Sequence, residues 1–203
     1  MQAQSNRWEL RDLILMAVLG TLFAIIYLGV FYGGLGLQTL LAPFGLAPFG
    51  FEVIYGVWFM AATIAAYIIQ RPGAALVTEV LAAMIELLMG NGGGAVLLLT
   101  GFIQGAGCEL GFAIFRYRRF DLVSMSLSAV FAATFIFAFE LYYLQYILLS
   151  PLLLLAQLIV RYASAIVFSG VISKRVCDGL VATGTLKAFP LGARQKPMVV
   201  LAD

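Results

Sequence analysis

A chain of 203 residues that is 63% hydrophobic and only 11% charged lies far from the roughly 25% charged residues of a soluble domain, and is read as an integral membrane protein. The net charge of +2 is scattered near segment ends, which excludes a nucleic-acid-binding stripe, and the absence of His removes the usual base and ligand of Ser/His and zinc chemistry. Cys108 in an apolar run and Cys177 beside Lys174 and Arg175 supply no disulfide framework.

Charge, glycine and proline divide the chain into apolar segments at 12–32, 52–70, 73–89, 95–115, 122–148 and 152–174. At 1.5 Å per residue these suit a hydrocarbon core about 30 Å thick, the third being short. The first segment has no small-x-small cleavage site and is read as a retained span, not a signal sequence. With the N-terminus in the cytoplasm, Arg7, Arg11, Arg71, Arg116, Arg118, Arg119, Lys174, Arg175, Lys187, Arg194 and Lys196 obey the positive-inside rule, leaving Arg161 within the membrane. The expectation is an all-α integral membrane protein of six transmembrane helices in one domain over residues 1–203. Both termini would be cytoplasmic, with a short tail over 176–203 that carries Pro190 and Pro197.

Along the first segment, Ala17, Gly20, Thr21 and Ala24 form a small-xxx-small surface, suited to packing within the chain or to docking a separate membrane subunit. An uncharged stretch follows with the tandem repeat LAPFGLAPFG at 41–50. Its prolines and glycines break regular helix, so it is expected either to lie in the interface or to fold as a lid over an external pocket. The second segment opens with Glu52 and places Tyr55 and Phe59 on one face with Trp58 beside them. An acid next to aromatic rings can neutralise and stack on a flat cation, although interfacial aromatics also form a simple belt.

Arg71 and Pro72 make the next turn, with Pro72 expected at the first helical position. Glu79 and Glu86 are seven residues apart, hence on one face at depths about 10 Å apart. Gly90-Asn91-Gly92-Gly93-Gly94 is too glycine-rich for helix. It lacks the Lys-Ser/Thr of a Walker A motif, so ATP hydrolysis is not expected here, and Asn91 offers a donor and an acceptor or a helix cap. The fourth segment carries Gln104, Gly105, Gly107 and Glu109. The glycines suit close helix approach, Gln104 needs a partner, and Glu109 is expected to pair with a basic group such as Arg116. Glu140, Tyr142, Tyr143, Gln145 and Tyr146 end the fifth segment, and Gln157, Arg161 and Ser164 stripe the sixth, where Arg161 is expected to neutralise an intramembrane Glu.

Sorted by depth, Glu52, Tyr55, Trp58, Glu86, Asn91, Glu140 and Tyr143 fall in the outer half, and Glu79 and Glu109 in the inner half. A pocket of this chemistry favours a cationic or amino-substituted flat ring. Glu79, Glu86 and Glu109 also allow a proton relay in a secondary transporter of a small cationic or aromatic metabolite, although no internal repeat of that class is visible.

The strings EVIYGVWF at 52–59, RPGAALVTE at 71–79, GN at 90–91 and Q-G-x-G-x-E at 104–109 together resemble the YkoE family. These are substrate-binding S components of energy-coupling factor (ECF) transporters for thiamine or its hydroxymethylpyrimidine precursor. The resemblance implies a six-helix protein of the prokaryotic plasma membrane that binds vitamin from outside, is not an enzyme and has no cofactor. It implies docking through Ala17, Gly20 and Ala24 on a transmembrane T component coupled to cytoplasmic ATPases. In that frame Glu86 and Asn91 face the aminopyrimidine edge, Tyr55 and Trp58 stack on the rings, Glu52 or Glu140 meets the positive charge, and Gln104 and Tyr143 complete the site. The LAPFG duplication departs from the family pattern.

Overall fold

The structure is a computed structural model that describes residues 8–194; Arg7, Lys196 and Pro197, used in the charge and tail arguments, lie outside the described residues. Every regular element among those residues is helical. Helix α1 (Leu10–Leu41) leads through two short 3-10 turns and a third, Tyr55–Phe59, into α2 (Met60–Ile69), followed by α3 (Ala74–Leu88), α4 (Val96–Ala113) and α5 (Leu122–Tyr143). Helix α6 (Pro151–Ala165) continues through a π-helical stretch, Ile166–Ile172, into α7 (Ser173–Ala182), and a short α8 (Pro190–Arg194) follows.

Local chemistry sets the helix ends. Asp121 caps α5: its carboxylate accepts the Ser124 N–H at 2.9 Å, and Ser124 Oγ accepts the Asp121 N–H at 2.9 Å, two orphan donors satisfied reciprocally. Pro151 occupies the first turn of α6, where its missing N–H costs nothing. Gln70 at φ 55 stops α2 and Gly73 at φ 87 precedes α3, so Pro72 sits in the intervening turn and not at the first helical position. The N-terminus of α3 is capped from another helix. Glu109 on α4 accepts the backbone N–H groups of Gly73 (2.6 Å), Ala75 (3.0 Å) and Leu76 (3.3 Å), and the Tyr117 hydroxyl at 2.6 Å. Glu109 is thus structural as expected, but its partners are helix-terminal amides, which attract a carboxylate through their aligned dipoles, and not Arg116.

Helix α4 is wedged between α3 and α5 because its glycines present bare backbone on two sides. A Cβ at Gly101 would fall 2.4 Å from Ala83 Cβ on α3, and one at Gly111 would fall 2.2 Å from Ser128 Cα on α5. The small residues of α1 work in the same way. A Cβ at Gly20 would lie 3.1 Å from Leu81 Cβ, and Ala24 is fully buried. Gly20 and Ala24 therefore pack inside the chain, correcting their assignment to partner docking; only Ala17 of that trio is exposed.

Four stretches are long and apolar enough to cross a membrane: Leu10–Phe44, Val96–Ala113, Leu122–Tyr143 and Pro151–Ala182. The second and third expected segments form shorter apolar pieces, Tyr55–Ile69 and Ala74–Leu88. Their flanking residues are drawn into turns by polar contacts. At one end of the bundle Arg71 pairs with Glu9 at 2.5 Å and with buried Asp12, while Trp8 Nε1 donates to Pro72 O at 3.0 Å. The last long helix runs on to Ala182, beyond the expected boundary at 174–176, and Leu186 and Leu191 after it are buried in the core cluster.

In the tandem repeat, each Ala-Pro-Phe winds a 3-10 turn, Ala42–Phe44 and Ala47–Phe49. The second copy is seated, with Gln157 Nε2 donating to Pro48 O at 3.2 Å, whereas Phe44 in the first is 76% exposed. No residue of 41–50 lines the cavity described next; of the two expected alternatives, the second copy follows packing, against α6.

Candidate ligand cavity

A cavity of ≈ 240 Å³ lies at the end of the bundle that carries the 42–54, 90–95 and 144–150 connections. Its first wall is aromatic. Trp58 packs on Tyr55 (ring centroids 5.3 Å) and on Phe51 (5.8 Å), and Phe51 extends the row to Phe31 at 6.2 Å. The 3-10 turn that presents Tyr55 and Trp58 is anchored at Gly56, whose N–H donates to Ser164 Oγ at 3.0 Å and whose carbonyl accepts the Ser169 hydroxyl at 2.6 Å. A Cβ at Gly56 would stand 2.2 Å from the Ser164 carbonyl oxygen, so this backbone approach requires glycine.

Behind that wall sits a buried ion cluster. Arg161, 1% exposed, donates Nε and Nη2 to the two oxygens of Glu52 at 2.6 and 2.7 Å, and its Nη1 lies 2.6 Å from Glu140 Oε2. The guanidinium carbon stacks 3.8 Å from the Tyr55 ring centroid and 4.8 Å from that of Phe137. The Tyr55 hydroxyl donates to Glu140 Oε1 at 2.5 Å. A planar fork between two carboxylates and two rings uses every recognition mode arginine has, and lysine cannot reproduce it. The expectation that Arg161 neutralises an intramembrane acid holds, with Glu52 and Glu140 as its partners.

The remaining wall is built by α3, α4 and the turn between them. Asn91 Nδ2 donates to Glu86 Oε1 at 2.6 Å while Asn91 Oδ1 accepts the Gly93 N–H at 2.8 Å, so the amide is clamped and orients the carboxylate. Deeper in, Glu79 Oε2 accepts the Tyr27 hydroxyl and the Ala62 N–H, both at 3.2 Å, and Tyr27 Oη accepts the Ala61 N–H at 3.1 Å. Gln104, Thr100 and Gly101 close the α4 side. Among the described residues no group of His, Cys, Asp and Glu is placed to hold a metal ion.

The cavity brings together Tyr55, Trp58, Glu86, Asn91, Gln104 and Glu140, six residues expected from the sequence. Two others lie elsewhere. Both oxygens of Glu52 are held by Arg161 and it does not line the cavity, because a bidentate pair with the nearest guanidinium satisfies it completely. Tyr143 is 54% exposed on the outer side of α5, stacked on Phe139 at 5.1 Å. The fifth helix ends there instead of running to 148, Gln145 turns the chain at φ 59, and Tyr146 takes the cavity position. The sequence reading omitted Tyr27, Phe31, Phe51 and Arg161 from the lining, and it divided Glu79 from Glu86 by depth although both line one cavity. Their seven-residue spacing on one helix face was the available signal.

A family model described as "ABC-type cobalt transport system, permease component" matches residues 11–135. The chain is 35% identical over 189 residues, 93% of its length and 92% of the relative's, to YkoE of Bacillus subtilis (strain 168), which is named as an HMP/thiamine permease protein. A solved structure described as "Crystal structure of an S-component of ECF transporter" superposes with a TM-score of 0.87 at 34% identity, covering 92% of each chain.

Proposed function

The chain belongs to the YkoE family of ECF transporter S components, a membrane transport protein, and on that premise we propose that it binds hydroxymethylpyrimidine and thiamine in this cavity. The observation that carries the reading is the pairing of an aromatic row with an oriented Glu86–Asn91 couple across one cavity. Flat heteroaromatic rings stack on Trp58 and Tyr55, and the donor and acceptor edge of an aminopyrimidine meets the carboxylate and the amide. Gln104 adds a polar contact from α4. Glu140 holds Tyr55 and Arg161 in place and so shapes the stacking wall.

In the same reading all six helical segments cross or dip through the membrane of a prokaryotic cell. The Arg71 end and both termini face the cytoplasm, and the cavity faces outside. The partners are a transmembrane T component, reached over the exposed side of α1 where Ala17 lies, and cytoplasmic ATPases that supply the hydrolysis for which this chain has no Walker A motif. The alternative of a proton relay through Glu79, Glu86 and Glu109 is weakened by the commitment of Glu109 to the N-terminus of α3, and the S-component match favours the importer.

Tryptophan fluorescence tests the proposal. The chain has two tryptophans: Trp58 on the cavity wall and Trp8 at the other end, bonded to Pro72. Adding thiamine or hydroxymethylpyrimidine to the chain purified in detergent should quench emission in the Trp8→Phe variant and leave the Trp58→Phe variant unaffected. No saturable response to either compound at micromolar concentration would refute the proposed ligand.

A further inference from the structure

The charges around the cavity do not balance. Glu52, Glu79, Glu86 and Glu140 are all buried, and Arg161 is the one buried guanidinium among the described residues; it is held by Glu52 and Glu140. Among the described residues no other Lys or Arg lines the cavity. Glu79 is 1% exposed and sits at the deep end of the lining, with hydrogen bonds only to Oε2 and none to Oε1 among the described residues. Because Tyr27 Oη accepts the Ala61 N–H, its own proton is directed to Glu79 Oε2, and the Ala62 N–H points at the same atom. Oε2 is therefore built as the acceptor, and in an empty cavity the proton of a neutral carboxyl belongs on Oε1. A bare carboxylate at that depth has no cation to offset its desolvation.

We propose that Glu79 is the group that takes the ligand's positive charge, and that it exchanges a proton for that charge. This rests on the thiamine reading above. Thiamine carries a permanently cationic thiazolium ring, and hydroxymethylpyrimidine carries none. When the thiazolium arrives, the Oε1–H bond breaks, the proton leaves to solvent, and the carboxylate is retained by the ring charge and the two donors on Oε2. The other groups facing this region carry contacts of their own, and the Glu86 variant below tests the nearest of them. Glu86 on α3 is tied to Asn91, and Glu140 on α5 to Tyr55 and Arg161 of α6. On α4, Cys108 is fully buried and Glu109 is committed to the N-terminus of α3 and to Tyr117. Tyr27, Tyr55 and Tyr146 contribute hydroxyls and no charge at neutral pH. The site thus separates the two ligands: the pyrimidine contacts are common to both, and the proton exchange belongs to thiamine alone.

Titration calorimetry on the full chain in detergent, repeated at one neutral pH in buffers of different ionisation enthalpy, counts protons released on binding. Wild type should release about one proton per thiamine and none with hydroxymethylpyrimidine. Glu79→Gln should abolish the release and weaken thiamine at least about tenfold, as for loss of a charge-assisted contact, with hydroxymethylpyrimidine affinity unchanged. Glu86→Gln should retain the release. Thiamine binding to wild type without proton release overturns the inference while leaving the thiamine reading intact. So does a Glu79→Gln variant that weakens both ligands alike, since that marks a structural role. If neither compound binds wild type, the reading beneath the inference fails and the inference falls with it.

Discussion

Replacing Arg161 by Met removes the one cation from a buried cluster that holds the carboxylates of Glu52 and Glu140. In the wild type its guanidinium makes two hydrogen bonds to Glu52 at 2.6 and 2.7 Å and an ion pair to Glu140 at 2.6 Å. Arg161 and Glu52 are each 1% exposed and Glu140 is 7%. Breaking a buried pair by deleting one partner costs about 3–5 kcal/mol, mainly through the uncompensated charge left behind. For a chain of this size that corresponds to a loss of roughly 6–20 °C in midpoint temperature. The compensating double variant Arg161→Met with Glu52→Gln removes one of the stranded carboxylates and should recover more than half of the loss. Arg161→Lys should fall between wild type and Met, since an ammonium cannot span Glu52 in a fork and still reach Glu140. Thermal unfolding in detergent, followed by loss of the monodisperse peak, reads all three. An Arg161→Met midpoint within a degree or two of wild type, or a double variant less stable than the single, would refute the idea that the guanidinium holds this wall together.

Glu86→Gln should weaken thiamine and hydroxymethylpyrimidine alike by about 1–3 kcal/mol, because the amide leaves one of its partners unsatisfied; unchanged calorimetric affinity removes Glu86 from the site. Glu109→Ala strips three backbone amides at the N-terminus of α3, those of Gly73, Ala75 and Leu76, of their acceptor and should destabilise the chain by about 1–2 kcal/mol, as for loss of a strong N-cap, with Glu109→Gln recovering part of it in the same melt. At the other end, the Arg71 hydrogen bond holds the Glu9 carboxyl below its ordinary 4.5. A depressed folded value means the contact contributes above the unfolded value and is lost as pH falls through the folded one. Acidification below 4.5 should therefore loosen the Trp8 end and red-shift Trp8 emission in a Trp58→Phe chain; a spectrum constant into strong acid would contradict this.

Much of this architecture follows from composition and periodicity alone. A chain with no water to bond its backbone must form helices or a closed barrel, and apolar runs of about 20 residues select helices; the breaks at Arg71-Pro72 and Gly90–Gly94 fall between helices and Asp121 starts one. Polar residues in such helices need partners, and that reasoning found Glu86, Asn91, Gln104, Glu140 and Arg161. Periodicity failed where it was extended past a helix end: Tyr143 and Tyr146 were read on one helix, and the φ of 59 at Gln145 depends on how the chain closes onto α6.

The sequence by itself determined the class of protein, its helices and the set of groups too costly to leave unpaired, because burial and hydrogen-bond satisfaction act locally. Which group answers which was decided only by tertiary structure. Glu52 and Glu79 are both buried acids on apolar segments, yet one meets a guanidinium from 109 residues away and the other meets a tyrosine hydroxyl, a backbone amide and an open cavity. A helical repeat tells which face a side chain is on; what stands opposite that face depends on how separate helices pack. At this site that means the bare backbone of Gly56 and Gly101, which sets how closely they approach.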